Sequence, residues 1–379
     1  MKTLSIDEVV ISGYYGFGNV GDEAVLAAIL QQLKHLWPEA RFTVLSGNPQ
    51  ATVEEHGVNA ISRGDLRALR KSFSSQRTVL VSGGGTLFQD VTSSRSLYYY
   101  LSLLLMARRY QIPVVIYGQG VGPFRRKWNQ RLTGRILRGT QLVILRDQQA
   151  YDDVRAWNLL DRDKLCLGAD PVLALEPSGH YGSILKSESR PSKDGPILLV
   201  SLRPWPTLAH HLNQLATALD TFSREGWQVV FLPFQYDSDY PICRDCASLM
   251  DEPAEVWDRP LTAQETLSLT GEADYCLGMR LHSLIFAAIW GLPMVGLAYD
   301  PKVEGFLKEL DLAEFVLDLP DTKGGLWSSS HLLGLMKRLA DEEEAITAQI
   351  KAKTILLKER ATAANRRMEE TLYLFQESW

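Results

Sequence analysis

The sequence has few cysteines, and their spacing does not complete a metal site. Of four cysteines in 379 residues, only Cys243 and Cys246 have a suggestive C-x-x-C spacing. A structural zinc site needs a second pair of ligands, and no such pair is found. We therefore expect buried or bystander cysteines, with a redox or metal role as the alternative. The cysteines therefore predict no metal site.

Long apolar runs and an excess of basic charge are also missing. No apolar run approaches the roughly 20 residues that a membrane-spanning helix needs, and residues 1–13 lack the apolar core of a signal peptide. The formal net charge of −5 argues against nucleic acid as a partner, because binding a polyanion requires a basic face. We expect a cytoplasmic protein whose anion sites are local.

Length and pattern indicate two α/β domains. A chain of 379 residues with 45% hydrophobic and 22% charged residues suits two globular domains. In residues 1–176, strands, glycine turns and helices alternate at βαβ spacing, which predicts a parallel sheet covered on both faces. A Ser-, Gly-, Pro- and Lys-rich connection is predicted at 177–195 and a second α/β domain at 196–340. Residues 341–379 predict a helical tail that packs back on a domain, with a membrane or partner surface as the alternative.

The first glycine-rich turn has the letters of a dinucleotide-binding motif but lacks its partner residue. Residues 16–21 read GFGNVG, between a strand and a helix. The motif needs an acidic residue at the end of the second strand, whereas that strand ends Leu45-Ser46 here. Close approach of another ligand is therefore favoured over nicotinamide or flavin binding, and simple turn chemistry is a third interpretation. The helix that follows offers its N-terminus to an anion or a sugar hydroxyl.

Three more strand ends carry candidate groups in the first domain. Glycine turns follow two predicted strands at residues 82–85 and 118–123. Turn geometry explains either one, but together they favour one wall of a cleft that needs close backbone approach. Arg146 and Asp147 follow the next strand, and Arg146 is either an anion ligand at this cleft or part of a surface ion pair.

The stretch from Gly278 to Lys302 is the strongest candidate for a site. A predicted apolar strand, residues 274–277, ends just before Gly278. Residues 281–290 then have the pattern of an apolar helix. Arg280 and His282 therefore lie near the carboxyl end of a strand, which is where ligands bind in open α/β sheets. A histidine at a helix start is also commonly a packed, hydrogen-bonded residue. For His282 considered alone, a catalytic role and a packing role therefore both remain open.

The next strand end strengthens this candidate. The strand predicted at 293–297 is followed by Asp300 and Lys302. Because parallel strands end at the same sheet edge, we expect both side chains on the edge that carries His282. One histidine and two cations would then converge at this edge.

A basic segment interrupts the otherwise mildly acidic chain. A solvated helix face explains such a segment. The sharper interpretation is a landing patch for a lipid pyrophosphate or an anionic membrane surface, with peripheral contact at the inner face of the membrane. The segment contains Arg125, Arg126, Lys127, Trp128, Arg131, Arg135 and Arg138.

Seven motifs, taken in order, resemble those of the polysaccharide pyruvyl transferases of the CsaB type. The resemblance covers nearly the whole chain, and the joint order is more specific than any single motif. The motifs are GYYGFGNVGDEA at 13–24, SGGGTLFQD at 82–90, YGQGVGP at 117–123, LRD at 145–147, GADP at 168–171, GMRLHS at 278–283 and YDPKV at 299–303.

The resemblance implies a fold and a reaction. The implied fold is glycosyltransferase-B-like (GT-B), with two facing Rossmann-like domains and the active site in the interdomain cleft. The implied reaction moves a pyruvyl group from phosphoenolpyruvate onto two hydroxyls of a sugar, in a cell-surface glycan or its lipid-linked precursor, with release of phosphate. For this reaction we predict no bound metal and no cofactor, with phosphoenolpyruvate as a co-substrate. A nucleotide-sugar-dependent glycosyltransferase on the same fold is the alternative. A noncatalytic glycan-binding protein is a third class.

The resemblance also implies roles for single residues. His282 is the candidate general acid and base, while Arg146 and Lys302 bind the donor. Arg280 is a further donor-binding candidate, with a scaffold role as its alternative. The acceptor is expected against the N-terminal domain, and its candidate ligands are Asn19, Asp22, Gly84 and Gln119.

Overall fold

The chain forms two compact units. The computed structural model describes residues 6–75, 77–177, 195–319 and 327–376. The first unit contains the chain up to Phe17, residues 22–175 and the chain from Leu357 onward, and the second contains residues 18–21 and 176–356. The predicted connection at 177–195 falls almost wholly outside the described residues. The predicted tail at 341–379 contributes to both units.

The first unit is built on a seven-stranded sheet with the order β3-β2-β1-β4-β5-β6-β7. All its neighbouring strands are parallel, as the βαβ spacing predicts. The strands are β1 Glu8–Tyr15, β2 Arg41–Ser46, β3 Asn59–Ser62, β4 Thr78–Gly83, β5 Val114–Gln119, β6 Leu142–Leu145 and β7 Leu165–Leu167. The helices are α1 Val20–Leu36, α2 Pro49–His56, α3 Leu66–Phe73, α4 Ser94–Arg109, α5 Lys127–Leu137 and α6 Gln148–Ala156.

The second unit is built on a six-stranded parallel sheet with the order β10-β9-β8-β11-β12-β13. The strands are β8 Ile197–Ser201, β9 Gln228–Phe231, β10 Glu255–Val256, β11 Tyr275–Gly278, β12 Met294–Ala298 and β13 Val316–Asp318. The helices are α7 Leu212–Arg224, α8 Tyr236–Ser248, α9 Ala263–Thr270, α10 Leu281–Trp290, α11 Pro301–Glu309, α12 Ser329–Asp341 and α13 Glu343–Gln376. In the described part of the chain, no helix is both long enough and apolar enough to cross a membrane.

The core of each unit follows from its strand sequences. The central strands read as apolar runs because parallel sheets are covered on both faces. Val9, Val10 and Ile11 of β1 have no solvent exposure, and neither do Leu198 and Val200 of β8. These runs made the central strands predictable.

The order of each sheet reverses beside its first strand. β1 lies between β2 and β4, and β8 lies between β9 and β11. Ligands of open α/β sheets bind where the order reverses, outside the carboxyl ends of the strands. The glycine-rich turn after β4 occupies that place in the first unit. The segments that lead to Arg203 and Arg280 occupy it in the second.

Elements without an apolar run were missed by the sequence patterns. β3 is a polar edge strand, NAIS, and all four of its residues are exposed or half-buried. The helix α8 contains Pro241 and mostly polar residues, so its helical period is hidden.

The two cysteines of α8, Cys243 and Cys246, are fully buried. Burial raises the pKa of both thiols, to about 12 for Cys246, so they remain protonated at neutral pH.

Candidate functional site

In the first unit, the carboxyl ends of β1 and β4 lie side by side. The Tyr15 hydroxyl donates a hydrogen bond to the Gly83 carbonyl oxygen over 2.8 Å. Gly84 has a φ of +75°, and a Cβ there would lie 2.3 Å from Cγ1 of Val25. Both observations require glycine at this position. The turn therefore keeps its backbone close to α1.

The polar acceptor candidates lie around this edge with different exposure. Gln119 is fully buried and its Nε2 donates to the Ser82 hydroxyl over 3.0 Å. A Cβ on Gly85 would lie 3.4 Å from a carboxylate oxygen of Asp22, so that carboxylate faces the turn after β4. Asp22 is half-buried at the start of α1. Of these two, Asp22 is the better placed to reach a sugar hydroxyl.

Asn19, the fourth acceptor candidate, was assigned to the N-terminal domain but lies in residues 18–21, which belong to the second unit. It has a local structural task. Its Oδ1 accepts a hydrogen bond from the backbone N–H of Gly21 over 3.0 Å. This contact satisfies a backbone donor in the first turn of α1, as helix-capping side chains do. Binding of a saccharide by Asn19 stays a prediction.

Arg146 is buried and held by three motifs of the first unit. Its Nη1 donates to Oδ2 of Asp170 over 3.1 Å and its Nη2 donates to the Thr86 hydroxyl over 3.3 Å. Its Nε lies 3.6 Å from a carboxylate oxygen of Asp147. Arg146 is only 5% exposed, so its ion pair with Asp147 is made by a buried guanidinium, and anion binding by Arg146 stays a prediction. The neighbours fix its guanidinium plane at the strand end.

Arg280 is committed to a buried ion pair in the second unit. Its Nε donates to Oδ2 of Asp239 over 2.9 Å, and Nη2 donates to the other carboxylate oxygen. The same Nη2 lies 3.3 Å from Oε1 of Gln235 and from the Ser238 hydroxyl. Asp239 is fully buried. This contact ties the end of β11 to the start of α8, which agrees with the scaffold interpretation, and donor binding by Arg280 stays a prediction.

His282 is the second residue of α10 and packs on the last glycine of the first turn. A Cβ on Gly21 would lie 2.1 Å from Nδ1 of His282 and 2.5 Å from its Cγ. The backbone N–H of Val20 donates to the Phe234 carbonyl oxygen over 2.8 Å, which holds this segment in the second unit. Gly21 is therefore glycine because the imidazole occupies the space that a side chain would take.

Lys302 and Asp300 lie at the start of α11, where the strand pattern predicts them. Asp300 Oδ1 accepts from the backbone N–H of Lys302 over 3.1 Å and caps the helix. Lys302 Nζ lies 3.4 Å from Oδ2 of Asp300 and 5.5 Å from the ring centroid of Tyr299. The Lys302 side chain is 32% exposed. Its ammonium group is accessible to an anion.

Arg203, Trp205 and Tyr299 belong to the same edge and were missed by sequence reasoning. Arg203 Nη1 donates to the Tyr299 hydroxyl over 2.8 Å. Burial opposes ionisation of this phenol, but Lys302 and Arg203 outweigh burial and lower the pKa of Tyr299 below its ordinary value. The available signal was the place of Arg203, two residues after the end of β8, at a sheet edge already assigned to ligands.

The basic segment forms α5 and its flanks in the first unit. Its six arginine and lysine side chains are exposed, and Trp128 is 50% exposed. The start of the helix is anchored by Asp90, whose carboxylate accepts from the backbone N–H groups of Arg125 and Arg126 and from Asn129. Burial of Asp90 would raise its pKa, but these hydrogen bonds outweigh burial and lower it.

Three side chains near the start of α1 could hold a divalent cation. Ligand atoms of Glu23, Glu55 and His56 all lie within 4.8 Å of one another. Glu23 Oε2 lies 3.4 Å from Nε2 of His56, while Oε1 accepts from the backbone N–H of Gly16 over 2.7 Å. The Glu23 carboxylate thus already binds the backbone of the glycine-rich turn and the side chain of His56. The prediction that the protein binds no metal stays a prediction.

Comparison with known proteins agrees with the order of the motifs. The sequence model of the family described as polysaccharide pyruvyl transferase matches residues 19–301. Arg146 and His282 fall within this range, and Lys302 follows it directly. The amylovoran biosynthesis protein AmsJ of Erwinia amylovora is 22% identical over 293 residues, which cover 73% of this chain and 68% of AmsJ.

Solved structures resemble the chain over almost its full length. UDP-GlcNAc 2-epimerase from Neisseria meningitidis, bound to UDP-GlcNAc, has a TM-score of 0.63 at 12% identity, covering 93% of this chain and 99% of the epimerase. Anabaena HepE, in complex with UDP and glucose, has a TM-score of 0.63 at 13% identity, covering 96% of this chain and 99% of HepE. The chain has the two-sheet α/β fold of GT-B glycosyltransferases and these epimerases, as predicted.

Proposed function

Because the chain belongs to the polysaccharide pyruvyl transferase family, we propose that it transfers a pyruvyl group from phosphoenolpyruvate to two hydroxyls of one sugar. The products are a cyclic ketal and free phosphate. The observation that carries this proposal is made at the carboxyl edge of the second sheet. There His282 lies at the start of α10 and Lys302 lies at the start of α11. A proton-transfer group and an accessible cation there suit an anionic donor.

The proposed chemistry needs proton transfer at carbon and at oxygen. A proton is added to the methylene carbon of phosphoenolpyruvate, which makes the adjacent carbon electrophilic. One sugar hydroxyl attacks that carbon, the second replaces the phosphate, and the two hydroxyl protons balance those on the new methyl group and the phosphate. His282 is the proposed acid and base, and such a group typically contributes about 10²- to 10⁴-fold in rate.

The donor carries a carboxylate and a phosphate, which suit cationic ligands. We assign Arg146 and Lys302 to this task because a planar guanidinium and an ammonium bind oxyanions. Each charged hydrogen bond contributes roughly 1.5 to 3 kcal/mol. Asp170 and Thr86 hold the Arg146 plane in place before the donor arrives, which lowers the entropy cost of binding.

The acceptor is proposed to be a saccharide of a cell-surface or cell-wall polysaccharide, in keeping with the biosynthetic role in the name of AmsJ. Asn19, Asp22, Gly84 and Gln119 are its proposed ligands, and the half-buried carboxylate of Asp22 is the strongest of them. Proton acceptance by a carboxylate also favours attack by a sugar hydroxyl. No cofactor is proposed.

We further propose that the protein is cytoplasmic and contacts the inner face of the membrane through α5, which would bring it to a lipid-linked acceptor. Six exposed basic side chains beside an exposed tryptophan support this contact. Binding to vesicles with anionic lipid, weakened by salt and by the double substitution Arg131→Gln/Arg135→Gln, is the expected result. The pair Lys308→Gln/Lys337→Gln is the control, and equal binding to neutral vesicles would contradict the proposal.

A nucleotide-sugar glycosyltransferase is the second candidate, because the structural neighbours include complexes with UDP and glucose or with UDP-GlcNAc. Thermal unfolding separates the two candidates. Ligands that bind only the native state raise the unfolding temperature, so phosphoenolpyruvate should stabilise the protein and UDP should not. Stabilisation by UDP alone would favour the second candidate.

The decisive test is turnover. The protein is incubated with phosphoenolpyruvate and a panel of free and lipid-linked saccharides, and released phosphate and product mass are measured. We expect equal amounts of phosphate and of a saccharide that is heavier by one pyruvate ketal. Phosphate release without a heavier saccharide would indicate hydrolysis, and the proposed transfer would then be wrong.

A further inference from the structure

Arg203 and Tyr299 meet over the end of one strand. β11 lies between β8 and β12, and Ser201, Gly278 and Gly296 are register partners across the three strands. Arg203 follows β8 and Tyr299 follows β12, so the 2.8 Å hydrogen bond between them crosses the carboxyl end of β11. This is the edge at which the sheet order reverses, and the chain from β11 continues into His282.

Aromatic rings hold the Arg203 side chain in place. Its guanidinium carbon lies 4.6 Å from the ring centroid of Tyr299 and 5.8 Å from that of Trp205. The two rings are themselves 4.9 Å apart. Ring faces attract a cation but offer no lone pair to its N–H groups. The position of the guanidinium is therefore set without using most of its hydrogen-bonding capacity.

As far as the structure describes the chain, Arg203 lacks the carboxylate partner that the buried arginines of the two motifs, Arg146 and Arg280, each have. Arg146 is paired with Asp170 and Arg280 with Asp239, whereas no carboxylate within the described ranges pairs with Arg203. Its Nε is buried and has no hydrogen-bond acceptor among the described residues. A buried N–H of a cation is costly without an acceptor. Since Nε is enclosed while the Arg203 side chain as a whole is half-buried, an oxyanion would bind the remaining N–H groups of Nη1 and Nη2.

The charges around Tyr299 favour the same kind of ligand. Lys302, Arg203 and Arg280 all act on the phenol as cations, and Asp300 is the opposing carboxylate. The net effect of these four groups is to stabilise negative charge at the phenol oxygen against its burial. A site that stabilises a phenolate also attracts a phosphate or carboxylate oxygen.

We propose that Arg203 and Lys302, with Tyr299 as the positioning residue between them, form an oxyanion site that binds one end of the donor. This rests on the proposed function, and it adds Arg203 to the donor ligands. The guanidinium fork suits either a carboxylate or a phosphate in two parallel hydrogen bonds. The Tyr299 hydroxyl orients the fork by accepting from Nη1.

Binding of three probes to matched variants tests the site. Phosphoenolpyruvate, inorganic phosphate and pyruvate are titrated by calorimetry into the wild-type protein, Arg203→Gln, Arg203→Lys and Tyr299→Phe. The control is Arg338→Gln, since Arg338 also stacks on a ring, that of Phe315 at 5.1 Å, away from this edge. Thermal unfolding shows which variants are folded, and Arg203→Lys keeps the charge if Arg203→Gln fails to fold.

Arg203→Gln is expected to weaken phosphoenolpyruvate binding by about tenfold or more, the loss of one charged hydrogen bond. Arg203→Lys should lose less, and the control should bind as the wild type does. Tyr299→Phe keeps the ring but loses the acceptor, so KM should rise with little change in kcat. If Arg203→Gln weakens phosphate binding, the site holds the phosphate end of the donor. If it weakens pyruvate binding, the site holds the carboxylate end.

The phenol gives an independent readout. The ultraviolet absorbance of tyrosinate is titrated with and without phosphate, and the Tyr299→Phe curve is subtracted. A bound anion offsets Lys302 and Arg203, so the pKa of Tyr299 should rise. Unchanged binding of all probes by Arg203→Gln would overturn the site even if the wild type turns over. Arg203-dependent phosphate binding without turnover would keep the site and refute the proposed function.

Discussion

Replacement of Gly21 by alanine tests how His282 is positioned. A Cβ at residue 21 would lie 2.1 Å from Nδ1, 2.5 Å from Cγ and 2.9 Å from Cβ of His282. To restore ordinary van der Waals contact, which begins at 3.4 Å, the imidazole nitrogen would have to withdraw by about 1.3 Å from 2.1 Å, and overpacking of this kind costs about 1 to 3 kcal/mol. A misplacement of about 1 Å in a catalytic group can lower the rate about 10²-fold.

Helix propensity predicts that alanine at residue 21 stabilises the protein, whereas the clash with His282 predicts that it destabilises. The sign of the change in the free energy of unfolding therefore distinguishes the two effects. Gly21 lies in the first turn of α1, where alanine alone would stabilise by roughly 0.5 to 1 kcal/mol. Gly334→Ala in α12 is the matched control, because a Cβ there meets nothing within 4 Å. Gly334→Ala should raise the free energy of unfolding and leave kcat unchanged, whereas Gly21→Ala should lower both.

The assay is pyruvyl transfer, measured by phosphate release and product mass, together with urea unfolding of each variant. A loss of kcat with an unchanged dissociation constant for phosphoenolpyruvate is expected of Gly21→Ala. Wild-type turnover combined with a gain in stability would refute this account. The glycine would then serve the turn alone, and His282 would not depend on it.

Three further predictions follow from the same contacts. His282→Ala should keep the fold and donor binding but lose about 10²- to 10⁴-fold in kcat, while the exposed control His35→Ala should keep full turnover. Asp239→Asn should lower the free energy of unfolding by about 3 to 5 kcal/mol, since it leaves Arg280 buried without a carboxylate; urea unfolding measures this. Asp90 has a lowered native pKa, so its stabilisation is present above the unfolded carboxyl pKa and is lost as pH falls through the native value. Asp90→Asn should therefore be destabilised at neutral pH and match the wild type in acid, and a constant difference across pH would contradict this.

Strand ends were predictable because they depend on local patterns. Apolar runs of four to six residues followed by glycine or charged residues mark β1, β4, β5, β6, β11 and β12 near their observed bounds. Parallel strands share a carboxyl edge, so the sequence alone assigns Arg280, His282 and Lys302 to one edge. Where a strand is polar or an edge strand, as in β3, the pattern has no signal.

Contacts between distant positions were not predictable from the same patterns. The buried partner of Arg280 lies on α8, a helix without a clear apolar period. The partner of Arg203 lies 96 positions along the chain, and both depend on the strand order of the second sheet. Sequence reasoning therefore gave Arg280 two open roles and did not identify Arg203 at all.

The sequence by itself determined two parallel α/β units, the family motifs and the residue types at the strand ends, because period and turn chemistry act over a few neighbouring residues. Only the tertiary structure decided which of these residues meet. It paired Gly21 with His282, Asp239 with Arg280 and Arg203 with Tyr299. The physical reason is that strand order and close packing arise from the burial of whole faces, and no single segment of the chain contains that information.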